Sequence, residues 1–397
     1  MGKHKKRKKS NLHKFIVLLI FVIFSIFPNV SNANKEEITE NEVLKKQKDE
    51  LNISSFLKEA ETYTNENIQD VKISEIFSSA LTGQIDNNNI IKKIIKIVGK
   101  EMLSTTRVLG SILIIIIIHS ILKSISDGLE NESISKITYF VQYILIATLI
   151  MKNFSDILNM VRNSINNLVG FMNSLVPLLI TLMLATGNIA SASFLEPIIM
   201  LLITFIGNFI NSVLVPFVLI STVLSIISKV SSKVQVGKLG KFFNSSVVWI
   251  LGTILTIFVG VVSIEGNLSS TVDGITAKTA KTAVSTFVPV VGKILGDAID
   301  SVIGCNNILK NAVGVVGVIV VLFICISPIV KLLGLMFMYN LASAICEPIA
   351  DEKIVKLLEE MGNTFKMLFA IVCSVSAMLI IGITLVIKIT NSGLMYR

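Results

Sequence analysis

FVGVVSIEGNLSSTVDGITAKTAKTAVSTFVPVVGKILGDAIDSVIGCNNILKNAVGVVG, residues 258–317, is the stretch on which the rest of the chain hangs. It lies between two long apolar runs, too polar to be lipid-embedded throughout and too regular to be plain loop. Gly, Ala, Ser and Thr dominate it, and its charges recur at helical spacing. Asp273, Ala277 and Lys281 step by four, with Lys278 in the same turn; Lys293, Asp297 and Asp300 step by four and three, so they share a helix face. Ile294, Leu295, Ile299 and Val302 fall on the opposite side. Gly292 and Gly296 form a small-xxx-small pair that lets another helix approach closely. Pro289 reads as a helix start and Gly304 as a stop. The expectation is two amphipathic helices joined at VPVVGK, exported or re-entrant over 264–312.

Composition sets the class. Hydrophobic residues make up 52% of the chain and charged ones 16%, with a mean hydropathy of +0.75, which belongs to an integral membrane protein. The net charge of +9 comes mostly from the start of the chain. Residues 1–33 hold seven Lys/Arg and no acid, which leaves 29 basic against 27 acidic residues elsewhere. The basic balance therefore argues for targeting and against a nucleic-acid partner. A basic start, an apolar run from Phe15 to Phe27 and a small-residue exit at Ser31-Asn32-Ala33 form a secretory signal. Cleavage between Ala33 and Asn34 is expected, since 13 apolar residues make only about 20 Å of helix. An uncleaved anchor is the other reading of the same run, and both export the residues after Ala33.

Residues 34–105 read as a small exported helical domain. Weak apolar stripes pass through Leu44, Leu51, Phe56, Leu57, Ala60 and Tyr63; Ser74 suits an N-cap and Gly83 a helix end. Beyond Asn87-Asn88-Asn89, a basic amphipathic helix carries Lys92, Lys93, Lys96 and Lys100, and suits either the membrane surface or packing within the domain. Apolar runs at 108–122, 137–151, 168–186, 246–263, 313–335 and 367–387 each read as a span. The interval 194–228 holds Asn208, Asn211, Ser212 and Pro216, and reads as two short spans or as two half-helices meeting at that break; the charge of the loop that follows favours two crossings. That brings the expected total to eight spans, divided into a bundle over 106–263 and a last part over 313–397. The acid-free loop 229–245, with four lysines, then obeys the positive-inside rule as a cytoplasmic loop.

Chemistry is sparse. Two of the three histidines lie in the signal, and His119 stands alone in the first span, without the partner of a zinc motif. The Gly-Lys pairs at 99, 237 and 292 lack the flanking residues of a phosphate-binding loop. Cys305, Cys325, Cys346 and Cys373 have no paired spacing and read as small apolar fillers. Glu196 and Glu347, each before a proline, read as helix-end residues. No catalytic, metal or cofactor site is expected. The residues carrying the best claim to a partner contact or an aqueous path are Asp273, Lys278, Lys281, Pro289, Gly292, Lys293, Gly296, Asp297, Asp300 and Lys310.

The ordered run FVGV, S, EG, SS, DGI, KTAK, PVVGK and KNAVG resembles the signature region of the stage III sporulation protein AE family. The likeness extends to Pro177, Gly187, Pro216, Lys331 and the EPIAD run at 347–351. It implies an all-α polytopic membrane protein without enzymatic activity, placed in the mother-cell membrane around the forespore. Implied partners are other stage III sporulation proteins, an ATPase among them, and a forespore-side protein bridging the two membranes. Within such a channel or secretion-like complex the chain would be the permease-like or scaffolding subunit, with a homo-oligomer as a further option. The competing expectation is a self-sufficient secondary transporter, for which the broken 194–228 interval speaks.

Overall fold

Helix after helix carries apolar residues at i, i+3 and i+4 on one side, and each must bury that side against a neighbour. The computed structural model describes residues 51–65, 72–83, 87–127, 132–230, 236–287 and 291–394; the signal region with Ala33 and Asn34 lies outside them. Among the described residues there is no strand. Two short helices, α1 (Ile53–Asn65) and α2 (Ile73–Leu81), precede long ones: α3 (Asn87–Asp127), α4 (Glu132–Ala185), α5 (Ile189–Phe209), a π segment (Ile210–Leu214) and α6 (Val215–Val230). Then come α7 (Gly237–Phe287), α8 (Val291–Cys346) and α9 (Glu352–Leu394). Six candidate membrane spans are present among the described residues, not eight. The chain is a multi-pass, all-α membrane protein.

Two mergers account for the difference. The runs 137–151 and 168–186 both belong to α4, a single helix of 54 residues. Its polar middle stays helical because Phe154, Ile157, Leu158, Val161 and Ile165 continue the buried stripe beneath exposed Asn159, Asn163 and Asn166. The interval 194–228 does not turn back either. From α5 through the π segment into α6 it is one rod, packed along its length against α7. The π segment absorbs Asn211 and Ser212 by locally widening the helix, which leaves chain direction unchanged.

The rods are in register over their whole length. Asn211 meets Asn166, Phe154 meets Phe365, and Thr222 meets Thr364. A Cβ on Gly382 would touch Phe258, and one on Gly317 would touch Leu175. Glu101 accepts a hydrogen bond from Ser327 Oγ at 2.9 Å, and Ser120 Oγ donates to the Ile349 carbonyl at 3.0 Å. At 1.5 Å per residue, the 38-residue span Glu352–Ile389 rises about 57 Å, well beyond a hydrocarbon core of about 30 Å. α9 occupies the centre, buried against α8, α7, α6 and α4, and among its described side chains no large apolar one is exposed. Asp351 starts it, its Oδ1 accepting the Lys353 N–H at 3.0 Å.

Local signals fared unevenly. Phe56, Leu57 and Ala60 are buried, as their stripe predicts, and Phe56 lies against Phe171 of α4. Gly83 ends α2 at φ 67°, in the left-handed region that glycine tolerates. Ser74 is not a cap, because α2 begins at Ile73 and its N-cap is Lys72. Gly304 does not stop a helix: α8 runs through it, with Leu309, Ala312 and Val313 buried in the turns that follow. Glu196 lies inside α5 rather than at its end, while Glu347 falls in the turn after α8. The 264–312 segment does belong to two helices, α7 ending at Phe287 and α8 starting at Val291, each continuous with the apolar run beside it.

Candidate functional site

α4 ends at Ala185, and three residues later the chain sets off in the opposite direction as α5. Gly187 at φ 79° makes this reversal, donating its N–H to the Leu184 carbonyl at 2.9 Å, while the Asn188 N–H reaches the Met183 carbonyl at 3.1 Å. These paired bonds close the helix end as a Schellman motif. Thr186 Oγ1 donates to the same Met183 carbonyl at 2.8 Å and accepts the Asn188 side-chain amide at 2.8 Å. Both residues are buried. Asn188 occupies the N-cap position of α5, yet its side chain is committed to Thr186 and makes no cap bond.

The cap comes from another helix. Asp273, buried on α7, accepts the Ala190 N–H at 2.8 Å through Oδ1 and the Ser191 N–H at 2.9 Å through Oδ2. A carboxylate at a helix N-terminus meets both the orphan donors and the positive end of the helix dipole. It therefore pins α7 to the start of α5. From the other side comes α8, where Asn306 donates its amide to the Ala185 carbonyl at 3.2 Å. One turn on, Lys310 is fully buried and donates from Nζ to Asn307 Oδ1 at 3.1 Å. Two further helices, α7 and α8, thus converge on the α4–α5 hairpin through polar side chains.

Asp273 and Lys310 were both flagged by the sequence, and the fold brings them to opposite flanks of this turn. Neither sits on a solvated face. Lys278 and Lys281 lie in α7, and Gly292, Lys293, Gly296, Asp297 and Asp300 in α8, but their side chains are outside the described residues, as is Pro289 altogether. Thr186, Asn188, Ser191 and Asn306 were missed. The signal that could have found the turn is Thr-Gly-Asn set between two apolar runs. Among the described residues no group of acidic, His or Cys side chains could hold a metal ion. The four cysteines are free, and Cys325, Cys346 and Cys373 are buried. His119 is buried within α3. The arrangement is a structural joint with two buried, oppositely charged groups, and it carries no nucleophile–base pair.

A second polar region lies halfway along the rods. Gly207 of α5 comes so close to α4 that a Cβ there would collide with Val169. Beside this contact Asn211 donates its amide to Asn166 Oδ1 at 2.6 Å. Around the pair, Asn159 and Asn163 of α4, Thr204 and Asn208 of α5, and Ser212 of the π segment are exposed.

The family model for stage III sporulation protein AE matches residues 71–390. Stage III sporulation protein AE of Bacillus subtilis (strain 168) is 30% identical over 307 residues, covering 77% of each chain. No solved structure matches. The matched region takes in every candidate span, from Asn88 to Ile389, together with the hairpin joint and the polar seam. The chain belongs to the stage III sporulation protein AE family, and so to the proteins of sporulation.

Proposed function

We propose that this chain is a non-enzymatic membrane subunit, permease-like or scaffolding, of a channel or secretion-like complex joining mother cell and forespore. The observation that carries the reading is the extent of the family match: it covers the six candidate spans as a unit, so the membrane bundle itself is what the family has in common. In this reading the bundle sits in the mother-cell membrane around the forespore. The Lys238 and Lys241 end of α7 faces the cytoplasm, in keeping with the positive-inside rule. The Asp273 end, with the hairpin at Gly187, faces the space between the two membranes. Its partners there are other stage III sporulation proteins, with an ATPase on the cytoplasmic side and a forespore protein bridging the gap. The joint built on Asp273 and Asn306 fixes where the helix ends stand, which is what a docking platform needs.

A self-sufficient carrier is the second reading. One observation favours it: Glu101 and Lys310 place charge within candidate spans, where ionisable groups often serve ion or substrate paths. Affinity capture of the tagged full chain from sporulating cells separates the two. The subunit reading expects the other stage III proteins to co-purify in stable proportion. Capture of the chain alone, together with solute flux after reconstitution into vesicles, would overturn it.

A further inference from the structure

The flanks of the bundle are not alike, and contacts between rods fix which segments share a depth. Gly314 of α8 stands beside Ile387 of α9, and Gly382 of α9 beside Phe258 of α7, so the apolar runs 313–335, 367–387 and 246–263 are level with one another. α3 runs along α8 in the same direction, Glu101 meeting Ser327 and Thr105 meeting Gly334. Lys96 precedes Glu101 by about one and a half turns and is therefore level with the middle of the α8 run. The apolar run of α3 itself, 108–122, comes only after Thr105. α1 joins at the same depth. Its Glu59 Oε1 accepts a hydrogen bond from Ser174 Oγ at 2.6 Å, next to Leu175, which stands beside Gly317. Its Tyr63 covers Gly170, where an added Cβ would collide with the phenol oxygen.

Both helices turn an apolar side to the bundle and a charged side away from it. Phe56, Leu57 and Ala60 of α1 and Ile97 of α3 are buried, while Lys58, Glu59, Lys92, Lys96 and Lys100 are exposed. Past α1 the same α4 face continues turn by turn through exposed Asn166, Asn163, Asn159 and Asp156, with half-buried Arg162 beside them. Phe154 meets Phe365 just before the α9 run, so this face crosses the full depth of the shared apolar band. On α7, at that depth, Trp249 and Ile257 are exposed instead. We infer that α1, the first half of α3 and the middle of α4 form one wall of a water-filled path through the membrane, while α7 faces lipid. Hydrocarbon solvates neither the ammonium groups nor the carboxylates, and ionisable groups at membrane depth line aqueous paths. A covering protein fits poorly, because the buried centres of interfaces are depleted in Lys and Glu. Water satisfies all of these groups at once, as it does on the polar side of any amphipathic helix. Around α1 and α3 the exposed lysines outnumber Glu59, so the wall is positive there and draws hydrophilic anions ahead of cations.

The inference rests on the bundle lying in a membrane and not on the proposed complex, so the test uses the full chain in a host that does not sporulate. Lys58→Cys and Lys96→Cys on the charged flank, and Trp249→Cys and Ile257→Cys on the apolar one, are treated in intact protoplasts with an impermeant anionic thiol reagent. The parent chain sets the background of its own cysteines, and labelling after denaturation shows that each variant accumulates. Reagent and thiolate both need water, so the charged-flank cysteines are expected to react about ten-fold faster than the two on α7. A cationic reagent of similar size, corrected for its rate with a free thiol, should react about two-fold more slowly than the anionic one at Lys96→Cys. Charged-flank cysteines that react no faster than those on α7 would overturn the proposal, whether lipid or protein covers them. A cationic reagent that reacts as fast as the anionic one would overturn the preference for anions. The host supplies no stage III partner, so this result and the affinity capture can fail separately.

Discussion

The hairpin joint and the mid-helix seam are both polar regions in an apolar chain, and they differ in where their hydrogen bonds go. At the joint, Asp273, Asn306, Thr186 and Asn188 spend their side chains on backbone groups or on one another, and all four are buried. At the seam, one amide pair is made within the chain while the groups around it face outward. The first pattern fixes helix ends; the second leaves amides and hydroxyls exposed along the rods. Side chains of the same type therefore sit in different settings in the two places, and accessibility tells them apart.

The comparison breaks most readily at the joint. Asp273→Ala removes both oxygens that cap α5 and strands one buried and one half-buried N–H donor, at an expected cost of about 2–4 kcal/mol. A thermal melt of the detergent-purified protein should show a clear drop, with about half of it for Asp273→Asn, which keeps one acceptor. Asp156→Ala, an exposed carboxylate on α4, should leave the melt unchanged. Equal melts for Asp273→Ala and Asp156→Ala would remove the distinction between the two regions.

Next in size is the contact that holds the seam's two rows together. Gly207→Leu forces side-chain volume against Val169 and should splay α4 from α5, costing about 1–3 kcal/mol. The same change at Gly252, whose added Cβ would meet no neighbour, should cost far less. Smallest is a buried hydroxyl pair away from both regions, Thr222 and Thr364, with their oxygens 3.0 Å apart. Thr222→Val should cost about 1 kcal/mol, and adding Thr364→Val should cost little more, since both partners are then apolar. Strictly additive losses would mean that the two hydroxyls do not interact.

The fold class was legible from composition, and the apolar runs marked the long helices but not their ends: 313–335 lies well inside α8 and 367–387 well inside α9. The number of crossings was not legible. A hydropathy window registers Asn153 to Asn167 as an interruption, although Phe154, Leu158, Val161 and Ile165 carry the buried stripe straight through it. In 194–228 the polar centre read as a turn, but a π segment accommodates it without reversal. The two mergers each remove one crossing, so the lysine-rich and Asp273 ends of α7 remain at opposite ends of the bundle. Asp273 drew notice by its spacing from Lys281, yet its role is decided by Ala190 and Ser191, over eighty residues away in the chain. No local pattern encodes that partnership. Asn188 misled in the opposite sense: it stands where a cap belongs, but Thr186 holds its side chain.

The single rod from Ile189 to Val230 is the feature on which the whole arrangement turns, and labelling at its two ends tests it directly. Ser193, near the start of α5, and Lys238, just beyond the end of α6, are both exposed, and each can carry a single cysteine. With an impermeant thiol reagent, Ser193→Cys should label in intact protoplasts and Lys238→Cys only after lysis. Labelling of both from the same side would mean that the chain turns back between them, and would contradict the six-rod bundle.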